Sequence, residues 1–441
     1  MFGRKLIFVL SCTFILFSCG ISEKKPNVLL VLIDTLRADH LGCYGYHRDT
    51  SPVIDSLASA GITFRRVQAQ NSWTLPAMSS IMTGLTHRMH QAGFWGKNMC
   101  GIDPSLPHLP QELSEAGYET GAFFNVVFMS EAFGFHRGFE HFDCNSSVGK
   151  TLSRDAATTV DEAIAWLENR DEPSQPFFLA VHFYDPHLTY DPPYPFNALY
   201  ADTTYTGFFN NEWGGRNDVA DVNRGRVGID STDVEHLVNL YDGEIAFTDH
   251  SLGRLFDYLR SSGISENTLV VLAADHGEEF FEHEGLSHGH TLYQEVLYVP
   301  LIIAGPGIPS GRQDTILVGQ IDVFPTIMAY CGLRAPDVIE GHNVLAELPA
   351  DRELPSSLIL SSGPRVTVRR HDRKVHWIQK SDAAFMFDLA SDPLEQEQLD
   401  YVDTTLVEAV KWHWSTPPIG HPDPVSLDEP GVRALRDLGY L

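Results

Sequence analysis

The sequence predicts an α/β fold: a mostly parallel central sheet with helices on both faces, followed by a small C-terminal α+β subdomain. Three observations predict it. Short continuous apolar runs, suited to strands buried on both faces, alternate with stretches in which apolar residues recur every three or four positions. Acidic and imidazole residues follow several of those runs, at the edge where parallel sheets bind ligands. Toward the C-terminus the alternation stops and a hairpin with a charged tip takes its place.

The chain opens on a targeting signal. Arg4 and Lys5 precede an apolar run, Leu6 to Ser18, that is too short to span a bilayer and fits a signal h-region. Its end, Leu16-Phe17-Ser18-Cys19, is similar to a bacterial lipobox. A lipoprotein-type signal over residues 1–19 would leave Cys19 lipidated, with residues 20–26 as a polar tether. The expected location is then outside the cytoplasm, membrane-anchored and facing the periplasm or cell exterior. An ordinary cleaved signal or an uncleaved anchor is the alternative.

Residues 27–350 are expected to form the main α/β domain and residues 351–441 the C-terminal subdomain. Asn27 to Ile33 is the first buried strand, and Phe177 to Phe183, Thr268 to Ala274 and Val299 to Ala304 are further strands of the parallel sheet. Ser51 to Ala60, Arg154 to Asn169 and Thr232 to Ser262 carry helical patterns. Pro76 starts a helix running through Ala77 to Met82 and sets Thr74 at its N-terminus, where free amides favour anions. Tyr184 to Phe196, with four prolines, is neither regular helix nor central strand and is expected to rim a cleft. Gln320 to Met328 reads as a strand end running into a helix, and Leu354 to Gly363 as a Pro- and Ser-containing connector. Val366 to Gln379 reads as a hairpin with Arg369 to Arg373 at its tip.

A formal charge of −27 excludes electrostatic attraction to nucleic acid or anionic lipid. An anionic substrate therefore needs local positive charge, most economically metal ions. The six cysteines show no metal-ligand spacing; an exported chain can pair some of them, or leave buried thiols. Asp34 follows the first strand, Asp185 and His187 the Phe177 run, and Asp275-His276 the Thr268 run, so these side chains converge on one sheet edge. His182, inside an apolar run, reads as a hydrogen-bonded core histidine, and His283 and His288 as solvated loop residues that could also be ligands. Arg37 and Asp39 are expected to stabilise the turn after Asp34.

Four segments together resemble the sulfatase branch of the alkaline phosphatase superfamily. They are NVLLVLIDTLRADHLGCYG from Asn27, TLPAMSSIMTG from Thr74, FFLAVHFYDPH from Phe177 and VVLAADHGE from Val270. The resemblance implies an alkaline phosphatase/sulfatase-like fold and metal-dependent hydrolysis of phosphate or sulfate esters. It implies Asp34, Thr74, Asp275 and His276 as ligands of one or two divalent ions, zinc or manganese in preference, with calcium or magnesium also compatible. His187 and His290 would line the oxygen side of the substrate or hold a second metal, and Asn125 would be an oxyanion contact or a turn residue.

Departures from the sulfatase pattern give the reading its direction. Sulfatases carry a cysteine or serine that is oxidised to formylglycine, followed by a proline and then an arginine; here those positions hold Thr74, Pro76 and Met78. Threonine cannot yield that aldehyde. Thr35 stands where a second acidic ligand is expected, and Asn125, Val127 and His290 replace two lysines and a histidine. Phosphodiesterases and phosphoethanolamine transferases of the superfamily do use threonine, through a phosphothreonine intermediate split by water or an acceptor hydroxyl. The expectation is a phosphoester hydrolase or phosphotransferase acting on a small-molecule, lipid or glycan ester. The alternatives are a sulfuric ester hydrolase without ordinary formylglycine chemistry and an inactive lipid-anchored binding protein.

Overall fold

The computed structural model describes residues 24–95, 98–145, 154–209, 216–427 and 429–437. The signal and Cys19 lie outside the described residues. Among those described, no helix is long and apolar enough to cross a membrane.

Eight strands form the main sheet: β1 (Asn27–Ile33), β2 (Gly61–Gln68), β3 (Glu119–Phe124), β4 (His141–Cys144), β5 (Phe177–Phe183), β6 (Thr268–Ala274), β7 (Leu301–Ala304) and β8 (Arg312–Gly319). Their spatial order is β8-β2-β7-β6-β1-β5-β3-β4. β1, β5 and β6 are buried along their whole length, which is why they read as unbroken apolar runs. β1 sits between β5 and β6 in parallel register, with Leu32 opposite both His182 and Ala273.

β7 corrects the parallel assignment of Val299 to Ala304. It is shorter, and it pairs antiparallel with both β6 and β2. After β6 the chain loops at the carboxyl edge with only a one-turn helix, Gln294–Leu297, and re-enters the sheet from that edge. Without a crossover helix a returning strand must run the other way.

Helices α1 (Pro52–Ala60), α2 (Thr74–Thr83), α3 (Ala156–Glu168), α4 (Ser231–Ser261) and α5 (Val323–Tyr330) connect the strands. α4 starts in a capping box of Asp230 and Asp233, which satisfies its first amides. Asp249 of α4 accepts from the Val53 and Ile54 amides at 3.0 and 2.8 Å and so caps α1 across the fold.

The C-terminal residues form an antiparallel sheet of β9 (Glu353–Leu360), β10 (Gly363–Arg370), β11 (Arg373–Ile378) and β12 (Ala383–Asp388), with α6 (Thr404–Ser415) packed on it. β9 corrects the connector expected at Leu354 to Gly363. Proline and serine composition signals a loop, but Pro355 sits on an edge strand, and Ser356 Oγ donates to the Ala69 carbonyl at 2.5 Å. The expected hairpin is β10-β11, turning at His371 and Asp372.

A buried polar cluster joins the two sheets. Lys374 Nζ donates to Glu395 Oε2 and to the Leu292 carbonyl, both at 2.7 Å, with neither charged side chain exposed. His376 Nε2 meets Glu395 Oε1 at 2.7 Å. Burial opposes ionisation of Glu395, but Lys374 and His376 outweigh it and hold the carboxyl down to about 2. His283 is not a solvated loop residue: its Nδ1 lies 2.7 Å from Glu295 Oε1, its Nε2 3.1 Å from the Glu395 carbonyl, and its ring stacks on Tyr293. The carboxylate and carbonyl both accept, which favours a proton on each ring nitrogen and so the charged imidazolium. Burial opposes that charge, yet Glu295 raises His283 to about 9.

Candidate active site and metal centre

The carboxyl edge gathers side chains from separate strand ends. Asp34 follows β1, Asp275 and His276 follow β6, and all three are fully buried with potential ligand atoms within 4.8 Å of one another. Thr74 opens α2, 1% exposed, with its Oγ1 3.4 Å from His276 Nε2. No side chain caps α2, and Pro76 in its first turn brings no amide, so the helix start keeps its attraction for anions.

Backbone geometry fixes these groups. Thr35 takes φ 54°, unfavourable for a β-branched residue, and its amide donates to Asp275 Oδ1 at 3.1 Å. The His276 amide donates to the same oxygen at 2.8 Å. Gln320 Nε2 donates to the Ala274 carbonyl at 2.6 Å and also to that of Asp275. Its Oε1 accepts from the Gln70 amide at 3.0 Å, which ties the β6 end to the turn before Thr74. Arg37 grips Asp39 through two nitrogens, as the turn after Asp34 required, and donates to the Glu278 carbonyl at 3.0 Å.

The residues fit a divalent cation. His276 Nδ1 faces the Gly277 carbonyl at 2.9 Å, which assigns the proton to Nδ1 and leaves a lone pair on Nε2. That lone pair points at Asp275 Oδ2, 3.3 Å away, and Asp34 Oδ1, 3.7 Å away. Three electron-rich atoms facing each other inside a protein repel unless a positive charge sits among them. Asp275 Oδ2 is buried and accepts no hydrogen bond among the described residues. Mixed carboxylate and imidazole donors suit zinc, manganese, calcium or magnesium and do not select among them.

Further residues belong to this neighbourhood. His288 is not solvated: its side chain is 2% exposed and its ring lies 4.3 Å from that of His276 and 4.9 Å from that of His187. Its Nδ1 donates to Glu278 Oε1 at 2.8 Å, while Tyr190 donates to Glu278 Oε2 at 2.9 Å. The buried Glu278 carboxylate thus orients His288 toward the site. His182, fully buried, reaches Asp34 Oδ2 at 3.4 Å, and neither of its nitrogens is hydrogen-bonded among the described residues. The hydrogen-bonded core histidine expected there is therefore corrected. Burial pushes its imidazole down to about 4.

The other expected site residues are placed as follows. His187 joins the group, stacked on Tyr184 with Nδ1 2.5 Å from the Leu188 carbonyl. Behind it, burial raises the neighbouring Asp185 carboxyl to about 7. His290 is turned to Glu279, 2.9 Å from its Oε2, and to the His288 carbonyl, 3.1 Å away. Burial disfavours its charge, but Glu279 wins and raises it. The histidine packed on His276 is His288. Asn125 is also corrected: its amide donates to Thr159 Oγ1 at 2.9 Å and to the His182 carbonyl, and its oxygen accepts from Arg154 Nε at 2.8 Å. With its amide protons and oxygen engaged internally, Asn125 holds the β5 backbone and has no free amide proton to offer an oxyanion. Met78 is buried in the core. The described cysteines, Cys43, Cys100, Cys144 and Cys331, are unpaired.

Comparison with known proteins adds the following. A sequence profile described as Sulfatase matches residues 26–333. The chain is 24% identical over 467 aligned residues to an arylsulfatase of Clostridium perfringens, covering 88% of this chain and 95% of that protein. It is 23% identical over 466 residues to an N-acetylglucosamine-6-O-sulfatase of Bacteroides thetaiotaomicron, covering 85% and 83%. Among solved structures, one in complex with its substrate D-glucosamine-2-N,6-O-disulfate superposes with a TM-score of 0.74 at 20% identity, over 89% of this chain and 98% of that one. A phosphonate monoester hydrolase of Agrobacterium radiobacter superposes with a TM-score of 0.70 at 21% identity, over 88% and 94%. These structural likenesses bear on fold.

Proposed function

From the premise that the chain belongs to the sulfatase family of hydrolases, we propose that it is a metal-dependent phosphoester hydrolase or phosphotransferase whose nucleophile is Thr74. One observation carries the reading. A threonine hydroxyl, which cannot become formylglycine, opens a helix 3.4 Å from His276 and beside the buried Asp34, Asp275 and His276 cluster. Asp34, Asp275 and His276 would hold a divalent cation, which when bound would supply positive charge favouring an ionised hydroxyl and stabilising the substrate's non-bridging oxygens.

The Thr74 hydroxyl proton passes to solvent and its Oγ attacks phosphorus; a new P–O bond forms as the bond to the leaving alcohol breaks. The α2 N-terminus orients the anionic group. His187 and His288, the latter held by Glu278, would line the oxygen side, and either, protonated from solvent, would give a proton to the leaving alcohol's oxygen as the bond breaks. Water or an acceptor hydroxyl then attacks phosphorus and frees Thr74, completing hydrolysis or transfer respectively.

A sulfate ester is the second reading, favoured by the names of the relatives, two of which are an arylsulfatase and an N-acetylglucosamine-6-O-sulfatase. The latter also supports a glycan ester as substrate; a lipid ester is the counterpart if Cys19 anchors the chain at a membrane, as its sequence suggests. The test is turnover of aryl phosphodiester, phosphate monoester and sulfate ester with added zinc or manganese. Phosphoesters should be preferred, and Thr74→Ala should lose turnover while still binding metal. Sulfate as the best substrate by a clear margin, or an unimpaired Thr74→Ala, overturns the reading.

A further inference from the structure

His182 stands out among the buried polar groups. It is fully buried on β5, and neither ring nitrogen has a hydrogen-bond partner among the described residues. Leaving a buried polar group unsatisfied is costly, so a packing role alone would be better served by Val or Leu. Its Nε2 lies 3.4 Å from Asp34 Oδ2, while His276 Nε2 lies 3.7 Å from Asp34 Oδ1. Each oxygen of one carboxylate thus addresses a different imidazole.

The surroundings are built to hold that arrangement. Leu32, two residues before Asp34, lies opposite His182 in the β1-β5 register. The His182 carbonyl accepts from Asn125, itself held by Thr159 and by Arg154, which also pairs with Asp143 at 2.8 Å. A chain of polar contacts from α3 therefore ends on the backbone of this one histidine.

We propose that His182 is a positioning residue of the metal centre. With the cation in place, its Nε2–H would close on Asp34 Oδ2, from which it lies 3.4 Å without a hydrogen bond in this structure, fixing the carboxylate and leaving Oδ1 for the cation. The inference rests on the reading that Asp34, Asp275 and His276 hold a divalent ion.

Calorimetric titration of the metal-stripped full-length protein with zinc or manganese tests it, on wild type, His182→Phe and His182→Gln. His182→Phe should bind about 10- to 100-fold more weakly, the range for loss of a partner behind a metal ligand. His182→Gln keeps an N–H donor and should recover most of that loss, which a packing role would not predict. Cobalt-loaded wild type and His182→Gln should show the same absorption bands, because the ligands themselves are unchanged. Equal affinity in wild type and His182→Phe overturns the proposal. So does a band shift in His182→Gln, which would make His182 a direct ligand. If His182→Phe fails to fold, His182→Gln beside His182→Leu repeats the comparison. Wild-type protein that takes up no cation refutes the metal reading itself, and this inference with it; binding by wild type with no effect at residue 182 refutes only the inference.

Discussion

Gly277 follows the Asp275-His276 pair, and replacing it with alanine isolates how tightly the backbone there is confined. A Cβ at this position would lie 2.1 Å from the Glu295 carbonyl oxygen and 3.1 Å from Arg37 Cγ. A carbon–oxygen contact needs roughly 3.3 Å, so the two backbone segments must part by about 1 Å. Both are anchored: the Gly277 amide donates to the Val296 carbonyl at 3.0 Å, and the Gly277 carbonyl holds His276 Nδ1 at 2.9 Å. The displacement therefore reaches His276, and through Glu278 also His288. Sites tolerate about 0.5 Å, and about 1 Å of misplacement lowers rates on the order of 100-fold. Gly277→Ala should fold, lose about 1–3 kcal/mol to overpacking, bind zinc or manganese about 10- to 100-fold more weakly and turn over phosphoester on the order of 100-fold more slowly. Calorimetric titration and steady-state kinetics on the same preparation measure both. Wild-type affinity and rate would show that the close approach does not position His276, and would refute the reasoning.

Lys374→Met should destabilise the protein by about 3–5 kcal/mol, because it leaves the buried Glu395 charge short of its main partner; denaturant unfolding checks this, and adding Glu395→Gln should restore part of the loss. His283 has its pKa raised from 6.5 to about 9, so its stabilisation is complete below 6.5 and lost as pH rises through 9. Melting temperature should fall across that window, and His283→Gln should flatten the fall. Glu395, lowered from 4.5 to about 2, acts in the opposite direction: its contribution is complete above 4.5 and lost as pH falls through 2. Chelation should abolish turnover, and zinc or manganese at 100 times its dissociation constant should restore it and stabilise the folded chain by about 2.7 kcal/mol, read as a rise in melting temperature.

Local chemistry made much of the architecture legible. β1, β5 and β6 run over the apolar residues that announced them, because burial on both faces leaves an unbroken hydrophobic signature. Asp34, Asp275 and His276 were legible because they follow those runs directly. The direction of β7 was hidden, since a short apolar run carries no sign of its orientation. β9 was hidden by serines and a proline whose polar groups are satisfied only by contacts with distant residues. His288 and Glu278 join the site through the segment from Gly277 to Leu292, whose one strand pair, Glu279–Phe280 with Leu286–Ser287, is too short to show a period. His290, two residues after His288, carries the same chemistry in sequence but is held by Glu279. His182 looked like core from its alternation, and only the register of β5 against β1 reveals Asp34 beside it.

The central claim is that Thr74 carries the transferred group. Rapid acid quench of the zinc- or manganese-loaded protein during turnover of a phosphodiester, followed by peptide mass spectrometry, tests it most directly. The account predicts a phosphoryl group on the peptide containing Thr74, absent in Thr74→Ala. Sustained turnover with no modified Thr74 peptide, or equal turnover by Thr74→Ala, would contradict it.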